Sequence, residues 1–215
     1  LDGIDLNYEV TGEGDWLVMI GGYVSGNHDA WGQQPHRLAE SFKVLRFDNR
    51  GIGASSVPDL PYTTRMMAND TLMLMKHLGI ERAHVFGKSL GGAIAHWMAV
   101  DAPAAVRSIA MTSSFGICSR RMQSMVRWWL DSAKSHEGLT PDVLAGMLTY
   151  FYTEAYWEKN TEALQRGIDS VLAVHRPLQG FLHTGNALLS HDTMARLARV
   201  TCPVEMLIGA EDAVT

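Results

Sequence analysis

Cysteine is scarce in this 215-residue chain. Cys118 and Cys202 are too few for a disulfide framework, which excludes the small secreted scaffolds that depend on one. The N-terminal LDGIDLNYEV has neither the basic start nor the apolar core of a signal peptide, so a reducing cytoplasm is the expected compartment. Long hydrophobic runs are missing as well. The longest, such as Trp16–Ile20, are strand-sized and far short of the roughly 18 residues that span a bilayer, so no membrane association is expected. The net charge of -5 is spread without long like-charge blocks, leaving no electrostatic footprint for nucleic acid or an anionic membrane. A small-molecule substrate is the expected partner, and self-association into a homo-oligomer is left open. Internal repeats and low-complexity tracts are also lacking.

What is present is a chain of ordinary globular composition, 47% hydrophobic, long enough for one domain with a sizeable core. IDLNYEV (4–10) and WLVMIG (16–21), separated by the Gly-rich TGEGD, read as a β-hairpin. WGQQPHRLAESF reads as a helix and KVLRFD (43–48) as a strand. Apolar residues at helical spacing over 64–79, including Met66, Met67, Met73 and Met75, mark a packed helix. AHVFG (83–87) follows as a short buried strand, then a helix stopped by Pro103, a strand at 106–114 and another at 202–210. Strands alternating with helices predict an α/β fold, a mostly parallel sheet covered on both faces.

Residues 119–192 break that alternation. Four helix-like stretches, 121–136, 141–157, 162–175 and 178–192, occupy roughly seventy residues between two strands, too many for a crossover, and predict an inserted helical cap. The expected division is therefore a core over 1–118, the cap over 119–192, and a return to the core over 193–215.

HVFGKSLGG, at 84–92, admits two unrelated chemistries. A phosphate-binding P-loop ending in "GKS" requires a glycine five residues before Gly87, but Arg82 stands there. Ala83–Phe86 are apolar enough to be the strand itself, so no Gly-rich cradle remains. The other reading is the G-x-S-x-G of a nucleophile elbow, a serine on a sharp strand-to-helix turn whose neighbours must be small where strand and helix nearly collide. Gly87, Gly91 and Gly92 meet that need, with a strand before and a helix after. Ser89 then sits at a helix N-terminus, where the Leu90 N–H can hold a developing oxyanion.

Two further stretches, VMIGGYVSGNHDAW and KVLRFDNRGIGASSVP, resemble the strand-loop-helix-strand core of the α/β-hydrolases. The D-x-R-G-x-G-x-S pattern falls on Asp48, Arg50, Gly51, Gly53 and Ser55. Within that superfamily the chain is similar to the 3-oxoadipate enol-lactonase-like group of small esterases and lactonases, most visibly in GFLHTGNALLSHDTMARLARVTCPVEMLIGAEDAVT. The resemblance implies the α/β-hydrolase fold, a serine hydrolase acting through an acyl-enzyme on Ser89, and a second oxyanion donor at the backbone N–H of Tyr23. Gly21-Gly22 replaces the family's frequent His-Gly, which matters little for a backbone donor. The family's G-x-x-D pattern falls on Gly209–Asp212, making Asp212 the expected acid with Glu211 beside it. The alternative acid position after the preceding strand, in TSSFG (112–116), holds no carboxylate.

The base should be a histidine following the acid in chain order. None of the nine histidines occupies that place, so it is expected beyond Thr215, in a longer chain. His28 is expected to line the entrance, and the other histidines to be structural or on the surface. No set of them has metal-ligand spacing, and neither a metal nor an organic cofactor is expected. The cap aromatics Trp128, Trp129, Tyr150, Phe151, Tyr152, Tyr156, Trp157 and Phe181 divide between cap packing and an apolar pocket. Lys88 departs from the family's usual uncharged residue, and its side chain is expected to turn away from that pocket; Arg50 is expected to be structural. Carbon–carbon bond hydrolysis, thioester hydrolysis and cofactor-free haloperoxidase chemistry suit the same fold. So does a non-catalytic ligand-binding or signalling protein, which the residues following Thr215 would distinguish.

Overall fold

A computed structural model describes residues 3–24, 31–212 and 214–215. Six strands form one sheet: β1 (Tyr8–Thr11), β2 (Asp15–Ile20), β3 (Phe42–Phe47), β4 (Ala83–Lys88), β5 (Val106–Thr112) and β6 (Val204–Leu207), in the order β1-β3-β2-β4-β5-β6. All neighbours run parallel except β1, which is antiparallel to β3. Leu17–Ile20 of β2 are buried as a continuous apolar run because β2 lies between β3 and β4 with both faces covered. β6 is the opposite edge, and Val204, Met206 and Leu207 on it are exposed.

The expected hairpin between the first two strands does not form. β1 pairs with β3 instead, because β2 is flanked on both sides by parallel partners and the connection from β1 must pass the start of β3. Gly12 makes that passage possible. At φ +78° it lies so close to the carbonyl oxygens of Phe42 and Ala39 that a Cβ would collide with both.

Three α-helices attend this sheet among the described residues before position 119: α1 (Gln34–Leu38), α2 (Thr64–His77) and α3 (Leu90–Asp101). The helix expected around 31–42 is thus reduced to five residues. Thr63 caps α2 by accepting from the Met66 N–H at 3.1 Å. α3 is buried from Leu90 to Val100, as a helix apolar on all sides must be, and packs on β4, β5 and β2 with α2 alongside.

Helices α4 (Arg120–Ser135), α5 (Pro141–Leu148), α6 (Glu154–Ala173) and α7 (Leu178–Leu189) then follow in succession. In α4, Met122, Met125, Val126, Trp129, Leu130 and Ala133 are buried at helical spacing, and α4 packs against α7. The stretch 141–157 is not one helix. Thr153 starts a new one by accepting from the Tyr156 N–H at 3.3 Å, and α6 carries a non-helical residue, Asn160. No helix among the described residues is long and apolar enough to cross a membrane.

The D-x-R-G loop acts as a clamp between the sheet and α7. Asp48 accepts from the Ala54 N–H and Asn7 Nδ2, both at 2.9 Å, while Ser55 Oγ donates to the Asp48 carbonyl at 2.7 Å. Arg50 holds Asp70 of α2 through two hydrogen bonds, at 2.5 and 2.6 Å, and both side chains are buried, which is the structural role expected of it. Gly51 meets Gly180 of α7 backbone to backbone, leaving no room for a Cβ on either.

A second polar cluster lies where the chain leaves for α4 and returns from α7. Ile117 bridges Asp192, the Cys118 N–H donates to the His191 carbonyl at 3.1 Å, and the Thr193 N–H donates to the Gly116 carbonyl at 2.8 Å. Buried His191 lies 2.8 Å from Thr64 Oγ1 through Nδ1, and Thr193 Oγ1 lies 3.4 Å from both His191 Nε2 and His96 Nδ1. Burial, with His96 adding to it, pushes the His191 pKa from 6.5 to about 4; Asp192 and a hydrogen bond with the Phe115 backbone offset part of this. The unfolded chain therefore binds the proton more tightly, and the stability that neutral His191 contributes is lost as pH falls from 6.5 towards 4. Between pH 7 and pH 5 this amounts to about 2 kcal/mol. Urea denaturation at the two pH values should show that loss, and His191→Asn should shrink it; an unchanged pH slope in the variant would assign the acid sensitivity elsewhere.

Candidate active site

The strand order reverses between β2 and β4: β3 lies to one side of β2, while β4, β5 and β6 extend to the other. In an open α/β sheet, the crevice beyond the C-terminal strand ends at such a switch point is where ligands bind. Here the β2 end delivers Gly21–Tyr23 and the β4 end delivers Lys88 and Ser89.

Ser89 occupies the turn between β4 and α3 at φ 52° and ψ -115°, a conformation costly for any residue with a Cβ. Its N–H donates to the Thr112 carbonyl at 2.9 Å, and its carbonyl accepts from the Gly92 N–H and Ser114 Oγ, each at 2.9 Å. The backbone is thus pinned on both sides, whereas the hydroxyl has no hydrogen-bond partner among the described residues. The glycines around it are steric necessities. A Cβ on Gly91 would collide with the Ile20 carbonyl, one on Gly87 with the Gly91–Gly92 backbone, and one on Gly92 with Ser114.

Ser89 opens into a cavity of about 960 Å³ between the sheet's C-terminal edge and helices α4–α6. Gly22, Tyr23, Ser113 and Asp212 share its core side with Ser89, while Leu148, Phe151, Tyr152, Tyr156, Leu164 and Ile168 are among the residues on its helical side. Phe151, Tyr152 and Tyr156 are exposed there, with the Tyr152 and Tyr156 rings stacked at 4.8 Å. Trp129 and Phe181 are instead buried on either side of Tyr23, whose ring stacks on Phe181 at 4.6 Å. The Tyr23 hydroxyl donates to the Phe181 carbonyl at 2.9 Å, and burial raises its pKa well above the ordinary phenol value, so it stays a neutral donor. That side chain fixes the loop carrying the Tyr23 backbone N–H. Leu90 is buried and contributes no side chain to the cavity; its position at the start of α3 leaves its N–H without a backbone acceptor.

Asp212 is half-buried at the cavity wall. Its Oδ1 accepts from the N–H groups of Val214 and Thr215 at 2.8 and 2.9 Å, and its Oδ2 accepts from Thr215 Oγ1 at 3.0 Å. Burial alone would raise its pKa, but these bonds, joined by one from the Ser113 hydroxyl, outweigh it and hold the carboxyl below the usual value, hence ionised at neutral pH. Ser113 has φ 44° and donates its N–H to the Leu207 carbonyl at 2.9 Å, so the end of β5 ties the serine turn to the acid loop.

The structure brings Ser89, Tyr23 and Asp212 to one cavity. His28 lies outside the described residues, and none of the other eight histidines lines the cavity. Four are engaged elsewhere: His84 meets Ser108 Oγ at 2.7 Å, His183 meets Asp59 at 3.3 Å, and His96 and His191 form the buried cluster. Lys88, at the end of β4, is exposed and is one of the residues bordering the cavity. Arg176 also reaches the cavity without any sign in the sequence. It donates through Nε to the Val24 carbonyl at 2.9 Å and through Nη1 to the Val171 carbonyl, and burial lowers its pKa to about 10 despite Asp48.

The model of the alpha/beta hydrolase fold family matches residues 15–183. The chain belongs to the α/β-hydrolase fold family. It is 28% identical over 213 residues to 3-oxoadipate enol-lactonase 2 of Acinetobacter baylyi, covering 99% of this chain and 78% of that one. 3-oxoadipate enol-lactonase 1 of the same organism is 26% identical over 214 residues, with coverage of 99% and 78%. A solved hydrolase from Pseudomonas aeruginosa superposes with a TM-score of 0.84 at 27% identity, covering all of this chain and 80% of that one. The coarse reading of the sequence, a hydrolase on this fold, stands.

If the elbow depends on close backbone approach, Gly91→Ala should lose about 3 kcal/mol of stability in urea denaturation. Gly167→Ala, in α6 with open space around its Cα, should gain about 1 kcal/mol by helix propensity. A Gly91→Ala variant as stable as the parent would contradict the packing argument.

Proposed function

We propose that this chain hydrolyses a small carboxylic ester or lactone through an acyl-enzyme on Ser89. The observation that carries this reading is the strained, backbone-pinned turn that places the unpartnered Ser89 hydroxyl in a largely apolar cavity. The enol-lactonase names of the relatives favour lactones among the substrates. Helices α4–α7 serve as the cap that shapes the acyl- and alcohol-binding space. Both cysteines are free thiols, in keeping with the cytoplasm as the compartment.

In this mechanism Ser89 Oγ attacks the carbonyl carbon while a base takes its proton, and the carbonyl electron pair moves onto oxygen. The backbone N–H groups of Tyr23 and Leu90 hold that oxyanion. Its collapse expels the alcohol, which leaves with the proton from the base. Water, deprotonated by the same base, then attacks the acyl-serine carbonyl and releases the acid. The base is a histidine that the family pattern places after the acid, and Asp212 orients it and stabilises its imidazolium. An ionised carboxylate is required for that task, which is the state its hydrogen bonds favour.

A fluorophosphonate probe offered to the full-length protein should label the peptide carrying Ser89 and leave Ser89→Ala unlabelled. Asp212→Asn should lower kcat/KM by roughly 10³-fold or more while retaining the fold. Equal labelling of parent and Ser89→Ala would overturn the assignment.

A further inference from the structure

The oxyanion donor proposed at Tyr23 is a backbone N–H, whose direction is set by whatever holds the chain on either side of it. Before it, Asn49 Nδ2 donates to the Gly21 carbonyl at 3.4 Å. The Tyr23 hydroxyl, donating to the Phe181 carbonyl, fixes the ring. After it, the Val24 carbonyl accepts from Arg176 Nε at 2.9 Å.

Arg176 does not belong to the sheet; it lies in the turn between α6 and α7. Its Nη1 donates to the Val171 carbonyl and, at 3.3 Å, to the Val174 carbonyl. These mark the C-terminal end of α6, where helix carbonyls lack intrahelical donors and a cation is favoured. One planar guanidinium thus joins the end of α6 to the residue that follows Tyr23. The adjoining backbone is fixed as well, since the His175 carbonyl accepts from the Gly53 N–H at 2.8 Å. Leu164, Ile168 and Val171 of α6 line the same cavity as Tyr23 and Val24, so the guanidinium spans two of its walls.

We propose that Arg176 is a positioning residue for the reaction: by tying the C-terminus of α6 to the Val24 carbonyl, it holds the Tyr23 N–H in the direction that the oxyanion requires. This rests on the assignment of Ser89 as nucleophile and of Tyr23 as donor. A misdirected donor loses stabilisation of the transition-state oxyanion while the uncharged substrate carbonyl binds nearly as well. The loss therefore falls on kcat rather than on KM. Lysine is no equivalent, because a single ammonium on a flexible stem cannot serve both segments as the fixed fork of a guanidinium does.

The test compares trifluoromethyl pentyl ketone with methyl pentyl ketone as inhibitors of para-nitrophenyl butyrate hydrolysis by the full-length protein. Ser89 Oγ adds to the fluorinated ketone, the carbonyl electron pair moves onto oxygen and the base takes the serine proton, so this inhibitor reports oxyanion stabilisation. The methyl ketone reports ground-state binding. Arg176→Met should lower kcat roughly thirtyfold and weaken the fluorinated ketone by a similar factor, with KM and the methyl ketone within about twofold of the parent. Arg176→Lys, which keeps the charge should Arg176→Met not fold, should show the same pattern at roughly fivefold or more. An unchanged preference for the fluorinated ketone would overturn the proposal, and so would equal losses in KM and in both ketones, the mark of a merely structural role. A parent that neither hydrolyses the ester nor prefers the fluorinated ketone would overturn the Ser89 assignment itself, and the proposal with it.

Discussion

At Gly91, helix α3 comes so near the end of β2 that no side-chain carbon fits between them. The contact sets the position of α3 against the sheet, and with it the turn in which Ser89 is held. The helix starts directly after the β4 end, so its first N–H groups lie at the turn that holds Ser89. The β2 end, where Gly21–Tyr23 leave the sheet, is the other side of the same contact. The Ser89 turn and the Gly21–Tyr23 segment are thus held side by side for one steric reason.

The surroundings keep that arrangement closed to rearrangement. The Asp48 network and the buried Arg50–Asp70 pair fix the loop after β3, and Gly51 and Gly180 press it against α7. α7 in turn supplies the Phe181 carbonyl that anchors the Tyr23 hydroxyl. Geometry at the Gly21–Tyr23 loop therefore depends on the helices packed against it as well as on the sheet. The His191 cluster secures those helices at their point of departure and return, and its burial disfavours a charged imidazolium there. Removing one partner from a buried ion pair such as Arg50–Asp70 would strand a charge, so the clamp is brittle by construction.

Much of this was legible in the sequence where a motif carries its own sterics. Gly87 and Gly91 flank a turn in which any side-chain carbon at their positions would collide with backbone, and Asp48 with Gly53 specifies a loop folded onto its own carboxylate. Asp212 was legible only through family likeness, because a loop carboxylate has no local pattern to distinguish it from Glu211. Pairing between strands was not legible. The segments around β1 and β2 look like a hairpin locally, but which strand lies beside β1 depends on β3 and β4, far along the chain. The break between α5 and α6 was hidden by continuous apolar and aromatic residues, with Thr153 as its single capping signal. The reach of Arg176 to the cavity follows from tertiary placement alone.

The central claim is that this fold holds a serine where backbone conformation alone would favour glycine, because the hydroxyl is needed there. Comparing Ser89→Gly with Ser89→Ala in urea denaturation tests it directly, since both lose the hydroxyl but only glycine removes the Cβ. Relief of the strain predicts that Ser89→Gly is the more stable of the two by about 1 kcal/mol. Ser89→Ala equal to it or more stable would show that the turn is not strained, and would contradict the account.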